Sequence, residues 1–202
     1  MSVNLQKGQK VDLTKGNASL KWVRIGLGWD EAKKTPELLQ KQNMMNEECD
    51  FDCDASAFLI DQSGTIARKE DIVYFGNLRH KSGCVSHQGD NLTGGGDGDD
   101  EQILVNLRDL PETYQKIVFV VNIYKAKERG QHFGMIENAF IRLVDAETNK
   151  ELCIYNLSDN YDGMTALVFG EVYRRNGEWK FNAIGQPTTD NSISELARRF
   201  GF

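Results

Sequence analysis

The chain has 202 residues, enough for one well-buried domain, and it contains no apolar run long enough to span a bilayer. Its formal net charge of −6 and its pI near 5.2 argue against nucleic acid or an anionic membrane surface as a partner. Residues 1–8 lack the apolar core of a signal peptide, so we expect a cytoplasmic protein without a membrane span.

Short β-branched and aromatic segments separated by polar turns run along most of the chain. Arg175-Asn176-Gly177 predicts a tight hairpin, and the polar stretch 145–150 predicts another. Together they predict an all-β fold, an antiparallel β-sandwich of about nine strands in a single domain over residues 1–202. The predicted strands are 21–27, 50–60, 71–75, 103–107, 117–124, 137–145, 151–155, 166–174 and 178–184.

Helical segments are few and short. Pro36 begins a predicted helix over 36–45, and residues 111–114 predict a single helical turn that starts with proline. A C-terminal helix is predicted over 192–200, because its apolar residues recur on one helical face. That stripe is expected to pack on the core of its own domain, with binding to a partner as the alternative.

The loop 89–101 carries five carboxylates among glycines, between two predicted strands. Carboxylates this close repel one another unless a cation or water shields them, and glycine lets the backbone turn sharply. Hard oxygen donors on such a backbone suit Ca²⁺, which takes six to eight oxygen ligands. The alternative is an acidic loop that is merely solvated.

A second acidic cluster lies at residues 50–55, where acidic and apolar residues alternate. On a strand this alternation places three aspartates on one face and Phe51, Cys53 and Ala55 on the other. Like charges along one strand face are unfavourable without compensation, although a charged, solvent-facing strand edge also has this pattern. Two such clusters favour one shared cation-binding end.

The acidic loop does not have the pattern of an EF-hand. Counted from Asp90, Gly95 and Glu101 occupy suitable positions, but Leu92 and Gly94 stand where oxygen donors belong. The residues after Glu101 also predict a strand rather than an exiting helix. A calcium site here is therefore expected to be a loop site of a β-sandwich.

Several segments in order along the chain resemble the TerD family of tellurite-resistance and bacterial stress proteins. The first is Gly26-Leu27-Gly28-Trp29-Asp30, and the acidic loop is among the others. Each match is weak alone, but the ordered set is specific. The matching segments are 26–30, 51–58, 89–101, 133–134, 138–142, 169–174 and 177–181.

The resemblance implies a β-sandwich that binds Ca²⁺, with two ions expected, and that has no established enzymatic activity. It also implies action with other stress or tellurite-resistance proteins, at or near the inner face of the membrane. Carried over by position, the expected metal ligands are Asp30, Asp52, Asp54, Asp90, Asn91, Thr93, Asp97, Asp99, Asp100 and Glu101.

This chain departs from the family pattern at Cys53, where leucine is usual, and in a longer stretch before Asp52 that holds the predicted helix 36–45. That insert is expected to be a lid over the acidic end or a partner surface. The oxygen-rich loop 158–163 offers Asp159 and Asp162 as further ligands for a second ion, or is an ordinary turn.

Two other functions remain open from the sequence. A metal-dependent enzyme acting on a phosphorylated small molecule would need an adjacent acid or base, and His87 is the imidazole closest in sequence to the acidic loop. Direct metalloid capture would use thiolates. The four cysteines, however, are scattered and are expected to be free, mostly buried thiols: Cys49, Cys53, Cys84 and Cys153.

Overall fold

The computed structural model describes residues 2–31, 51–89, 98–157 and 159–202. Within these ranges the chain forms two six-stranded β-sheets that pack face to face. The strands are β1 Val3–Leu5, β2 Lys10–Asp12, β3 Trp22–Glu31, β4 Cys53–Asp61, β5 Ile72–Val73, β6 Val85–His87, β7 Glu101–Asn106, β8 Tyr114–Ile123, β9 Ile136–Asp145, β10 Lys150–Asn156, β11 Ala166–Arg175 and β12 Glu178–Thr188.

The first sheet has the order β1-β10-β9-β3-β7-β6, and the second has the order β2-β12-β11-β8-β4-β5. Only β1 and β10 are parallel among the pairs in the described ranges. The predicted all-β sandwich is confirmed, and all nine predicted strands are present. Three further strands, β1, β2 and β6, were not predicted, because three residues are too few to establish an alternating pattern.

Apolar side chains from both sheets form the core between them. Ile25 and Ile103 of the first sheet and Phe119 and Phe181 of the second are fully buried there. Burial of each such side chain stabilises the fold by about 1.5–3 kcal/mol. The same layer contains Cys53, which confirms that this residue faces inward as the alternation predicted.

A second apolar cluster lies on the outer face of the second sheet. The C-terminal helix α2, Ile193–Arg198, covers this face with Leu196 and Ala197. Phe200 follows the helix and meets Phe58 of β4 edge to face, with ring centroids 5.8 Å apart. The predicted docking of this helix on its own core is therefore confirmed.

The hairpin between β11 and β12 is confirmed, with Asn176 and Gly177 at φ 54° and 77°, the positive values that its two-residue turn requires. The helical turn predicted at 111–114 is wrong. The N–H of Tyr114 donates to the carbonyl of Pro111 at 3.0 Å, closing a turn, and Tyr114 then begins β8. Strand pairing outweighs the local preference of proline for a helix start.

A short helix that was not predicted, α1 Ala126–Arg129, follows β8. The predicted helix 36–45 lies outside the described residues. Among the described residues, none of the helices has both the length and the apolar character needed to cross a membrane.

Candidate metal centre at the acidic end of the sandwich

Two glycines of β3 make room for the acidic segment that precedes β7. A Cβ atom on Gly26 would lie 2.2 Å from Cγ of Asp99, and one on Gly28 would lie 2.8 Å from the carbonyl oxygen of Gly98. Real Cβ atoms do not approach other atoms this closely. The Gly-Leu-Gly segment therefore has a physical purpose, because residues 98–99 can lie across β3 only where β3 carries no side chain.

Asp99 fastens this segment to the first sheet. Its side chain is 1% exposed, and its Oδ1 accepts a hydrogen bond from Nε of Arg142 at 2.6 Å. Its Oδ2 accepts a hydrogen bond from Nε2 of Gln102 at 3.2 Å. The bond to Asp99 raises the pKa of Arg142. Both oxygens of Asp99 thus have protein donors from the neighbouring strands β9 and β7.

Asp100, the residue immediately before β7, extends the contact with β3. The register between β3 and β9 shifts between Gly28 and Asp30, which leaves Trp29 opposite no residue of β9. The N–H of Trp29 donates instead to Oδ2 of Asp100, at 2.8 Å. Burial raises the pKa of Asp100, and the negative charges of Asp30 and Asp99 raise it further, against the opposing effect of the bond from Trp29.

Glu101 connects the two sheets. It is 2% exposed, and its Oε2 accepts a hydrogen bond from the N–H of Ala55 in β4 at 2.5 Å. That N–H lies past the end of β5, which pairs only with residues 57 and 58 of β4. Nε2 of the buried His87 lies 3.5 Å from the same oxygen. Glu101 therefore occupies the place of a missing strand neighbour and aligns β4 against β7.

Asp30 and Asp52 complete the acidic end as the structure describes it. Oδ2 of the exposed Asp30 accepts a hydrogen bond from Nδ2 of Asn138 at 2.8 Å. Asp52 is half-buried immediately before β4, and its backbone carbonyl accepts a hydrogen bond from the N–H of Tyr124 at 2.8 Å. Their segments join the start of β7 at one end of the sandwich.

Asp54 is placed differently. Its neighbours Cys53 and Ala55 face the core between the sheets, so Asp54 faces outward, on the side of the sheet that α2 covers. It is 4% exposed, and its Oδ2 accepts a hydrogen bond from Nδ2 of Asn122 at 3.4 Å.

The donor chemistry of this end fits a hard cation, because the side chains offered are carboxylates. In the described ranges, however, no three acidic, histidine or cysteine side chains converge into a metal-ligand group. Four predicted ligands, Asp90, Asn91, Thr93 and Asp97, lie outside the described residues, so a complete site would need oxygens from that part of the loop.

The additional ligands considered in the loop 158–163 have other neighbours. Asp159 forms an ion pair with Lys7 at 2.7 Å in which both side chains are about half exposed. Oδ1 of Asp162 lies 3.4 Å from Nδ1 of His132. These contacts are those of an ordinary polar surface loop.

The residues that hold the acidic side chains in place were not predicted from the sequence. Asn138 and Arg142 both lie in β9, and Gln102 is the second residue of β7. The only sequence signal is that both β9 residues are polar positions within an otherwise alternating strand. Their roles depend on the register between β9 and β3, which the sequence does not specify.

The cysteines of the described ranges are free and buried: Cys53, Cys84 and Cys153. Burial raises the pKa of the Cys53 thiol well above its usual value, and the nearby carboxylates of Glu101 and Asp54 add to this effect. Burial also raises the pKa of Cys153, to about 12. Neither thiol is therefore suited to act as a thiolate ligand at neutral pH. Cys49 lies outside the described residues.

Comparison with known sequences supports one family. A sequence profile for the TerD domain matches residues 1–200. Stress response protein SCP2 of Bacillus subtilis (strain 168) is 46% identical over 99% of this chain and 100% of its own length. Tellurium resistance protein TerD of Serratia marcescens is 45% identical over 92% of this chain and 91% of its own length.

Comparison with solved structures supports the same fold. A homologue of telluride resistance protein (TerD), SCO6318 from Streptomyces coelicolor A3(2), superimposes with a TM-score of 0.62 at 21% identity. The match covers 88% of this chain and 95% of that one. The protein SAV2460, described as of unknown function, gives the same TM-score at 23% identity and the same coverage.

Proposed function

Because this chain belongs to the TerD family of tellurite-resistance and stress proteins, we propose that it is a Ca²⁺-binding module that acts in the cytoplasm through partner proteins. The names of the relatives above describe stress and resistance proteins and do not name an enzyme. The proposal is that binding, rather than chemical turnover, is the function of the acidic end.

One observation carries the proposal: three separate segments that bear carboxylates lie at one end of the sandwich. These segments are the end of β3 with Asp30, the residues around the start of β7 with Asp99 and Asp100, and the residue before β4, Asp52. Such an arrangement costs electrostatic free energy that a bound divalent cation would recover.

The described contacts divide the predicted ligands into two roles in this proposal. Asp30, Asp52, Asp54 and Asp100 would supply oxygens to Ca²⁺, together with Asp90, Asn91, Thr93 and Asp97, which lie outside the described residues. Asp99, held by Arg142, and Glu101, held by Ala55, would position the loop. Two ions remain our expectation from the family resemblance.

The bound cation would neutralise the acidic end and fix one conformation of the loop for recognition by another protein. In a pull-down experiment with this protein immobilised, partner proteins should be retained in Ca²⁺ and released by a chelator. The expected partners are other stress or tellurite-resistance proteins, including ones at the inner face of the membrane.

Thermal unfolding of chelator-treated protein tests the proposal. Ca²⁺ should raise the melting temperature, because a ligand that binds only the folded state adds about 2.7 kcal/mol of stability at a hundredfold excess over its dissociation constant. The matched control is Asp12→Asn, which removes an acid on the edge strand β2 that pairs with Lys180. This variant should keep the full increase, and an unchanged wild-type melting temperature would contradict the proposal.

A further inference from the structure

A buried histidine lies between a serine and an aspartate at the end of the sandwich opposite the acidic end. Asp71 is the residue before β5, and His80 and Ser82 lie in the turn before β6. Tyr114, the first residue of β8, contacts the same group. The N–H of the residue after β8 donates to Asp52 at the acidic end. Because β8 has ten residues, the two ends lie about 30 Å apart.

Hydrogen bonds connect the three side chains in series. Oγ of Ser82 lies 2.7 Å from Nδ1 of His80, and Nε2 of His80 lies 3.2 Å from Oδ1 of Asp71. The hydroxyl of Tyr114 donates to the same Asp71 oxygen at 2.7 Å. The side chains of His80 and Asp71 are 0% and 2% exposed, so water does not compete for the bond between them.

Neighbouring backbone groups determine the direction of these bonds. The N–H of Ser82 donates to Nδ1 of His80 at 3.2 Å, so Nδ1 carries no proton and the imidazole proton is on Nε2. The Ser82 hydroxyl therefore donates its proton to Nδ1, and its oxygen accepts from the N–H of Cys84 at 3.1 Å. Nε2 donates to Asp71. A serine that donates to an imidazole oriented by a third group is the arrangement of an activated nucleophile.

The imidazole is kept in the form that a general base requires. Burial lowers the pKa of His80 and outweighs the opposing effect of Asp71, and the nearby charge of Lys81 lowers the pKa further. His80 is therefore uncharged at neutral pH, and its Nδ1 can accept the proton of the Ser82 hydroxyl.

The three side chains lie at a cavity of about 340 Å³, and each of them contributes to its lining. Ser82 is partly exposed, whereas His80 and Asp71 are buried. The volume is near the lower end of the range of small-molecule sites, about 300–1,000 Å³. Titratable groups with altered pKa values that line a cavity are typical of active sites. The cavity thus has room for a small substrate beside the serine.

Charged side chains at the rim of this cavity suit a carbonyl group that gains negative charge. Arg68 and Lys81 line the cavity and are exposed. Asp61 lines it as well, but its Oδ1 accepts hydrogen bonds from the N–H and the hydroxyl of Ser63, at 2.8 and 2.6 Å. Cations near a reacting carbonyl stabilise the charge that develops on its oxygen.

We propose that Ser82 is a nucleophile that takes the acyl group of a small ester, with His80 as its general base and Asp71 as a positioning residue. Oγ bonds to the carbonyl carbon of the ester and its proton passes to Nδ1, and the alcohol then leaves with that proton as the ester C–O bond breaks. Water next adds to the acyl carbon and the bond to Oγ breaks. This releases the carboxylic acid, and the proton returns through Nδ1 to Ser82.

Fluorophosphonate labelling tests the nucleophile. The probe forms a bond between its phosphorus and an activated serine oxygen and releases fluoride. The reaction is run in chelator, so that no bound metal contributes, and peptide mapping by mass spectrometry should find the label on Ser82. Ser82→Ala should abolish labelling, and His80→Gln should slow it at least about a hundredfold, as expected for loss of a general base.

Ser63→Ala is the matched control. Ser63 is more exposed than Ser82, and its hydroxyl donates to the carboxylate of Asp61 rather than to an imidazole. This variant should be labelled on Ser82 as the wild type is. An unlabelled wild-type protein, or a label that persists in Ser82→Ala, would overturn the proposal and leave the three side chains as a structural network.

Hydrolysis of p-nitrophenyl acetate tests the role of Asp71. The wild-type protein should release a burst of about one equivalent of p-nitrophenol before slower turnover, because the acylated serine accumulates. Asp71→Asn should lower kcat at least about tenfold with KM nearly unchanged, because the carboxylate stabilises an imidazolium that forms only during reaction. An unchanged kcat would contradict this role. If Asp71→Asn or His80→Gln does not fold, the mapped wild-type label and its loss in Ser82→Ala decide the proposal.

This activity does not depend on Ca²⁺ binding, because the two sites share no residue. Labelling of Ser82 should proceed at the same rate in chelator and in Ca²⁺. Labelling without any calcium binding would contradict only the function proposed for the acidic end. Calcium binding without labelling would contradict only the activity proposed for Ser82.

Discussion

Gly26 offers the sharpest test of how the acidic segment is held. In Gly26→Ala the new methyl group would lie 2.2 Å from Cγ of Asp99 and 2.3 Å from both carboxylate oxygens. Because Gly26 lies in a paired strand, we expect Asp99 to move rather than the backbone. That movement breaks the 2.6 Å hydrogen bond that Nε of Arg142 donates to Asp99.

The expected cost follows from two contributions. Overpacking in a well-packed site costs about 1–3 kcal/mol, and a hydrogen bond to a charged group contributes about 1.5–3 kcal/mol. Arg142 is 31% exposed and partly regains hydration, so we place the loss of unfolding free energy near the lower end, at about 2–4 kcal/mol. Chemical denaturation of the calcium-free protein measures it.

A double-mutant cycle distinguishes this cause from general damage to β3. Asp99→Ala removes the obstruction, so Gly26→Ala should cost less than about 0.5 kcal/mol in that background, or even stabilise the strand slightly. The two substitutions would then be strongly non-additive. Additive losses, or a Gly26→Ala protein as stable as wild type, would show that the new methyl group does not clash with Asp99.

Three further predictions concern titration and reactivity. Asp100→Asn keeps an acceptor for the Trp29 N–H but removes one charge, so the calcium-free protein should lose no stability. The affinity for Ca²⁺, measured by calorimetry, should fall at least about tenfold, and an unchanged affinity would contradict this prediction. Burial lowers the pKa of His80, so as the pH falls a proton binds to this residue in the unfolded chain before it binds in the folded one. The free energy of unfolding should therefore decrease below about pH 6.5. His80→Gln should weaken this pH dependence and the control His132→Gln should retain it, and an unaltered dependence in His80→Gln would contradict the assignment. Cys53 and Cys153 should react with a thiol reagent about a hundredfold more slowly in the native protein than in urea, and equal rates would show that these thiols are accessible.

Much of the fold could be predicted because its strands are long and alternate regularly. β11 and β12 flank an Asn-Gly turn, and their alternation and turn chemistry agree. β11 was therefore predicted to within one residue, although the prediction for β12 stopped four residues before its end at Thr188. The three-residue strands could not be predicted. β6, for example, exists because Val85 and His87 find partners in β7, which is a long-range pairing with little local signal.

The sequence was sufficient to locate the acidic end, but it did not show the contacts that each acidic residue makes there. The alternation correctly placed Asp54 on the opposite face from Cys53, yet it could not tell which face meets the acidic loop. Likewise, nothing local to the loop shows that Asp99 meets Arg142 and that Glu101 meets Ala55, because both contacts depend on strand register and on how the sheets stack. The proline at 111 misled because tertiary pairing outweighs a weak helical preference.

Whether the acidic end binds Ca²⁺ can be measured by calorimetric titration of chelator-treated protein. Titration should be repeated in millimolar Mg²⁺, because a site of flexible carboxylates suited to Ca²⁺ is a poor match for the strict octahedral geometry of Mg²⁺. Our account predicts saturable, micromolar Ca²⁺ binding that persists in Mg²⁺. An absence of heat together with an unchanged melting temperature would contradict the account and leave the acidic loop as a solvated feature of the sandwich.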